Sequence, residues 1–419
     1  MPLNSKFRFS RRTFRIAAAL LVIVGLICGC FSIYNVDDRV AEWDSKPSID
    51  LPSQKESSGV RFYNGTRGND IILSLVRNEE LQGMLQSIEE FENRFNKRFH
   101  YDWWFLNDKP FSEEFINGTK SKVSGSVKYI TLPKQYFDYP DNIDLERAAQ
   151  VRKTMKKQKV AYGDSESYRF MCRFNSGMFY KLPELEHVEY YWRVEPFVNF
   201  KCDINYDVFE YMRQNDKLYG FAMSLGEDKR TIPTLWEHTR KYFFDLHPEL
   251  IADRNNINFI SDDEGATYNG CHFWTNFEIA HTEIFKDPGY GYEAYFEYLD
   301  SIGGFFYERW GDAPVHTLAF SLLLDVDQIH FVPNTGYFHH PNQDCPRDDP
   351  LKEALNCECQ PKKDFTWHKW SCVNKFFDVN HLQRPDSLSQ VKKHYPYLLP
   401  NPTGKMAPVT RYTTTGKLL

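Results

Sequence analysis

The segment Glu189-Tyr-Tyr-Trp-Arg-Val-Glu-Pro196 constrains this chain most, because an apolar, aromatic run ends in a carboxylate and a proline. Val188 to Val194 reads as a strand, and Pro196, which has no N–H to give to a ladder, stops it. A strand of this kind delivers Glu195 to the carboxyl edge of a sheet, where α/β proteins hold ligands. A charged residue that merely closes a buried strand is the competing account, so the rest of the sequence has to decide.

The neighbouring segments supply the sheet. Asp70 to Arg77 reads as a buried strand, Leu81 to Phe95 as an amphipathic helix and Tyr101 to Leu106 as another strand, the order and spacing of a βαβ unit. Lys128 to Leu132 reads as a further strand, Leu145 to Lys157 as a basic helix and Tyr168 to Tyr180 as a helix with an aromatic face. Phe221 to Leu225 is a strand able to join the same sheet, and Leu235 to Phe244 is helical. The sum is one mixed α/β domain from residue 67 to 419, with its tail wrapping back over it. With 42% hydrophobic and 16% aromatic residues in 419, a large core is available, and the chain is not of the disordered class. Net charge is only −6 and the basic residues are dispersed, which excludes a nucleic-acid footprint.

Ahead of that domain, residues 16–34 form nineteen uncharged positions, preceded by Lys6, Arg8, Arg11, Arg12 and Arg15 and followed by Asp37 and Asp38. That length spans a bilayer, and the basic flank stays cytosolic. The expected layout is a cytoplasmic tail (1–15), a signal anchor (16–34), a Pro- and Ser-containing stem (35–66) and a lumenal body, a type II membrane protein. A cleaved signal peptide is the rival, but its apolar core is shorter and no Ala-x-Ala site follows here. Two sequons, at Asn64 and Asn117, suit a lumenal chain. Seven cysteines lie beyond the anchor, so at least one thiol stays unpaired within a monomer. Cys345, Cys357, Cys359 and Cys372 cluster in sequence, and two disulfides among them are favoured over a zinc site in an oxidising lumen.

Beyond Glu195, four segments carry candidate chemistry. Glu278 sits among large apolar residues in Cys271-His-Phe-Trp-Thr-Asn-Phe-Glu278, where a carboxylate beside a reacting sugar carbon acts as nucleophile or stabilises positive charge. Asp312 follows Gly311 at a helix start, where an N-cap role explains it, although Glu308, Arg309, Trp310 and His316 crowd around it as in sugar-binding clefts. His339 and His340 follow a strand-like Ile329-His-Phe-Val332; joined to Glu195, such a histidine completes an oxygen–nitrogen set for manganese. Arg169 and Arg173, four apart on one helical face, suit a diphosphate, or equally a structural network with Asp164 and Glu166.

Taken together, Tyr168-Arg-Phe-Met-Cys-Arg-Phe-Asn-Ser-Gly177, Tyr190-Tyr-Trp-Arg-Val-Glu-Pro196, Asn276-Phe-Glu-Ile-Ala280 and Tyr307-Glu-Arg-Trp-Gly-Asp-Ala-Pro-Val-His316 resemble the fungal Golgi α-1,2-mannosyltransferases, glycosyltransferase family 15. The likeness runs from about Asp70 to Cys372. It implies a GT-A-like mixed sheet flanked by helices, GDP-mannose as donor, Mn2+, mannose-ending glycoprotein glycans as acceptors, retention of the α configuration and residence in the Golgi membrane. By the same resemblance Glu195 and His339 hold the metal, with His340 in reserve, and Arg77, Arg169 and Arg193 serve the nucleotide. Glu278 is the implied nucleophile, Tyr168 the other group supporting the reacting sugar, and Asp312 an acidic position near the acceptor. Phe197 departs from the pattern, since some members carry aspartate after the proline. Two alternatives stand beside this reading: mannosylphosphate transfer with the same donor and metal, and a non-catalytic lectin or subunit of a mannosyltransferase complex.

Overall fold

The computed structural model describes residues 68–400. Its βαβ unit consists of β1 (Ile71–Leu75), α1 (Leu81–Arg94) and β2 (Asp102–Asn107), with the strands parallel from Ile71↔Asp102 to Leu75↔Leu106. β3 (Val127–Thr131) extends the sheet beside β2, and β4 (Tyr190–Arg193) lies parallel to β1 on its other side. The chain then makes β5 (Asn199–Phe200), β6 (Tyr219–Phe221), β7 (Ser224–Gly226), β8 (Cys271–Phe273), β9 (Glu278–His281), β10 (Ile329–Phe331), β11 (Tyr337–His339) and β12 (Asn342–Gln343). The central sheet has the order β10-β6-β9-β4-β1-β2-β3; β12-β11-β5 and β7-β8 are separate small sheets.

The first three residues of β4 are aromatic because the strand is covered on both faces: Tyr190, Tyr191 and Trp192 are all buried. β9 runs antiparallel to β4 and β6, which sets its first residue, Glu278, level with Arg193 and Phe221. The carboxyl ends of β1, β4 and β6 and the start of β9 therefore share one edge.

On one face of the sheet, α1 places Met84, Ile88, Phe91 and Phe95 at helical spacing, and Phe91 meets Trp192 edge-on with centroids 4.8 Å apart. On the other face lie α2 (Leu145–Lys157), α3 (Glu166–Arg173), α4 (Tyr292–Ile302) and α5 (Asp312–Leu323). Every residue of α5 is buried, so it turns no face to solvent. α2 begins where Asp144 accepts hydrogen bonds from the N–H groups of Glu146 and Arg147, each at 3.0 Å.

Several expectations change in detail. Phe221 to Leu225 is divided: β6 joins the central sheet, while β7 turns away to pair with β8. The helix from Tyr168 is regular only to Arg173 and continues as a wider π turn over Phe174–Met178. Leu235–Arg240 likewise passes into a π turn, Lys241–Leu246. Among the described residues the disulfides are Cys202–Cys357, Cys271–Cys372 and Cys345–Cys359, so only one bridge lies within the late cluster, and Cys172 is the buried free thiol. Pairing across 155 and 101 residues is set by the return of the tail onto β5 and β8, not by local spacing. The expected anchor, the stem and Asn64 lie outside the described residues; among those described, no helix is long and apolar enough to cross a membrane.

Gly177 sits in the π turn against Phe296, and an added Cβ would lie 2.1 Å from that buried ring. Gly177→Ala is therefore predicted to destabilise the domain by about 1–3 kcal/mol, the usual range for overpacking. Urea unfolding measures this, and a midpoint equal to that of the native protein would contradict the packing described.

Candidate active site

At the shared strand edge opens a cleft of about 670 Å³. Its walls carry Arg77, Tyr168, Arg193, Glu195, Asp312, His339 and His340 of the side chains singled out in the sequence; Glu278, Arg169 and Arg173 are not among its lining. The centre of this wall is Arg193, the last residue of β4. Its Nη1 donates to Asp312 Oδ2 at 2.6 Å and its Nη2 to Glu195 Oε1. Asp312 Oδ2 also accepts from the Thr275 hydroxyl at 2.8 Å. Burial alone would lower the Arg193 pKa, but the charges of Glu195, Asp312 and Glu278 outweigh it and raise the value well above the ordinary one. Burial would raise that of Glu195, yet the Arg193 charge, with that of His339 added when its ring is protonated, holds it at about 2, so the carboxylate is ionised at any working pH. Asp312 is thus not the helix cap expected; Gly311 occupies that position, and the Asp312 carboxylate is committed to Arg193 and Thr275.

His339 reaches Glu195 through strand pairing. After the Glu195-Pro196 turn, Phe197 adopts φ 64° and donates its N–H to the Gly83 carbonyl at 3.1 Å, turning the chain into β5. β5 pairs with β11 at Tyr337↔Phe200, which brings the end of β11 back over the turn. His339 Nε2 then stands 3.6 Å from Glu195 Oε2, longer than a hydrogen bond, while its Nδ1 lies 3.2 Å from the His340 carbonyl oxygen. With Nδ1–H donating there, Nε2 carries a lone pair into the cleft. A free carboxylate oxygen and an imidazole nitrogen facing each other fit a divalent cation of the manganese type. His339 is the one of the two histidines that faces Glu195.

Glu278 lies beneath this wall, 1% exposed, on a small cavity shared with Arg193 and Asn175. Its oxygens accept from Tyr191 Oη at 2.5 Å, Tyr219 Oη at 3.0 Å and His316 Nδ1 at 2.7 Å. Oε2 holds two donors and Oε1 one, which fixes the carboxylate in the floor of the site. Arg169 also differs from expectation. It is fully buried, gives Nη1 to the Ser165 carbonyl at 2.9 Å and turns Nη2 to the Met155 sulfur, which withdraws it from a diphosphate. Arg173 pairs with Asp300 at 2.7 and 2.8 Å, not with Asp164 or Glu166. Tyr168 lines the cleft, and burial pushes its phenol well above the ordinary value, so it remains a hydroxyl and not a phenolate. Thr275 and Glu227, also on the wall, carry no local signature that separates them from ordinary turn residues.

Residues 35–381 match the family model described as glycolipid 2-alpha-mannosyltransferase. The chain belongs to this family. It is 51% identical to alpha-1,2 mannosyltransferase KTR1 of Saccharomyces cerevisiae, over 77% of this chain and 81% of that protein. It is 44% identical to O-glycoside alpha-1,2-mannosyltransferase omh1 of Schizosaccharomyces pombe, over 84% of this chain and 88% of that one. Among solved structures, core-mannan synthase A from Aspergillus fumigatus in its Mn/GDP form superposes with TM-score 0.69 and 36% identity, covering 80% of this chain and 94% of that chain. The mixed sheet with flanking helices is thus the GT-A-like fold of the family.

In the mannosyltransferase fold Asp344 fixes the turn before β11, accepting from the N–H groups of Thr335 and Gly336 at 2.8 and 3.2 Å. Burial, with the charge of Asp364 added, pushes Asp344 up from 3.8 to about 7. A value raised on folding means the protonated form favours the native state: that stability is present below about pH 4 and is lost as pH rises through 7. Asp344→Asn is predicted to flatten the decline of the thermal midpoint between those limits. An unaltered slope in the variant would show that another group is responsible.

Proposed function

We propose that this chain is a retaining α-1,2-mannosyltransferase that moves mannose from GDP-mannose to mannose-ending N- or O-linked glycans, with manganese at Glu195 and His339. The observation that carries the reading is the Glu195–His339 pair, 3.6 Å apart at the mouth of a strand-edge cleft, in a chain 36% identical to a protein solved in a Mn/GDP form. Bound there, a divalent cation offsets negative charge growing on the departing diphosphate. Arg193 fixes the Glu195 rotamer through Oε1 and leaves Oε2 for the ligand. Arg77, exposed on the cleft rim at the end of β1, is suited to the nucleotide phosphates. Tyr168, kept protonated, donates a hydrogen bond at the reacting sugar.

We further assign the protein to the Golgi membrane as a type II chain anchored by residues 16–34. The uncharged run with its basic flank supports this, as do three disulfides in the body.

Glu195→Ala is predicted to abolish the manganese-dependent part of GDP binding, with at least a tenfold rise in Kd, since a lost charged contact is worth about 1.5–3 kcal/mol. Calorimetric titration with and without Mn2+ reads this directly. A variant that binds GDP with native affinity and native metal dependence would overturn the assignment. Incubation with GDP-mannose and methyl α-mannoside should yield a product heavier by one hexose, and added phosphate in that product would instead establish mannosylphosphate transfer.

A further inference from the structure

Asn117-Gly-Thr119 has the acceptor pattern for an N-linked sugar, and it lies away from the cleft in the helix Glu113–Lys120 that follows β2. The Asn117 side chain is exposed and makes no hydrogen bond with other described residues. Its neighbours one helical turn away, Glu113, Lys120 and Ser121, are exposed as well, so the ground around it is open to a bulky group. The opposite face of the helix is the packed one. Phe115 and Thr119 are fully buried there, and Phe115 meets Phe105 of β2 edge-on with centroids 5.6 Å apart. Ser112 caps the helix, accepting from the Phe115 N–H at 3.1 Å, which fixes the direction in which Asn117 points.

The other half of the motif is sealed inside. Thr119 Oγ1 donates to the Phe115 carbonyl at 2.8 Å and lies 2.8 Å from the Tyr129 hydroxyl, which donates to the Ile116 carbonyl at 3.0 Å. Tyr129 belongs to β3 and stands level with Phe105 of β2 in the parallel pairing. Thr119 is therefore closed off only when β2, the helix and β3 have come together. The acceptor pattern needs its hydroxyl residue as well as its asparagine, and an enzyme that reads the hydroxyl cannot reach it in the folded chain. None of residues 113–120 lines the cleft, so a group carried on Asn117 leaves the cleft open.

With the body in the lumen as proposed above, we infer that Asn117 carries an N-linked oligosaccharide, attached during synthesis before β3 closes over Thr119. The co-substrate is an oligosaccharide joined through its first sugar to a lipid diphosphate. A bond forms between the Asn117 amide nitrogen and C1 of that sugar while the bond from C1 to the diphosphate oxygen breaks. The amide gives up one proton, and the lipid diphosphate leaves with the bonding pair. When the helix then forms, the sugar is held outward over the exposed face, and Thr119 packs as it does in an unmodified chain. A bulky hydrophilic group is tolerated at such a position because nothing has to move to admit it. The burial of Thr119 also makes the modification a record of folding order: a copy that escapes it before folding stays unmodified afterwards.

The test makes the full chain in a eukaryotic secretory host and follows its tryptic peptide 99–120 by mass spectrometry before and after peptide N-glycosidase. The peptide should carry a hexose-containing mass that the glycosidase removes, leaving aspartate at position 117. Asn117→Gln should lack that mass and keep the native near-ultraviolet circular dichroism, because the side chain is exposed. For the order of events, folded chain made with sugar transfer inhibited is offered the lipid-linked donor and microsomal transferase beside a synthetic peptide of residues 108–122. The peptide should gain sugar and the folded chain should not. Modification of the folded chain at the peptide's rate would overturn the order, and an unmodified Asn117 in a chain whose body is protected from protease inside sealed microsomes would overturn the site. A body open to that protease would instead contradict the lumenal placement on which the inference rests, and the inference with it.

Discussion

Arg193 is a half-buried guanidinium set among three carboxylates, and the geometry of the cleft depends on it. One arm holds Asp312 at the start of α5 and the other holds Glu195 past the end of β4, with Glu278 as a further negative charge beneath. Asp312 and Glu195 share one guanidinium, so a change at any of the three positions is felt at the other two. The fork matters as well as the charge: a planar group with paired donors spans two acceptors, which a point charge does not.

The fold explains how that charge cluster is tolerated. β9 enters the sheet antiparallel between β4 and β6, which sets Glu278 directly opposite Arg193. Tyr191, Tyr219 and His316 then supply the donors that a buried carboxylate requires. His316 comes from α5, whose apolar surface lets it sit wholly inside the domain, and the same helix begins with Asp312. One helix and one antiparallel strand therefore fix both the floor and the wall of the site. The tail adds the last piece, because β11 pairs with β5 and returns His339 to Glu195.

What the sequence reveals follows the range of the forces involved. β1, α1, β2 and α2 are legible because apolar spacing and capping act within a few residues, and α2 has the expected bounds, Leu145–Lys157. Glu195 is legible for the same reason: an apolar run stopped by proline needs no distant information. Asp312 resembles a cap locally, and only the register of β4 shows that its partner is Arg193. Arg169 looks available on a helix until the packing of α3 buries it. Disulfide partners and Glu227 are set by chain segments far apart, and their local sequence does not distinguish them. The family motifs bring most of the site residues together without supplying these contacts.

The most direct test of this account is Arg193→Lys, which keeps the charge and removes the fork. Titration of Mn2+ and GDP onto a variant with native near-ultraviolet circular dichroism should show nucleotide affinity reduced at least tenfold, because Glu195 is no longer held in place. Native affinity in that variant would contradict the claim that the bridge from Glu195 to Asp312 organises the site.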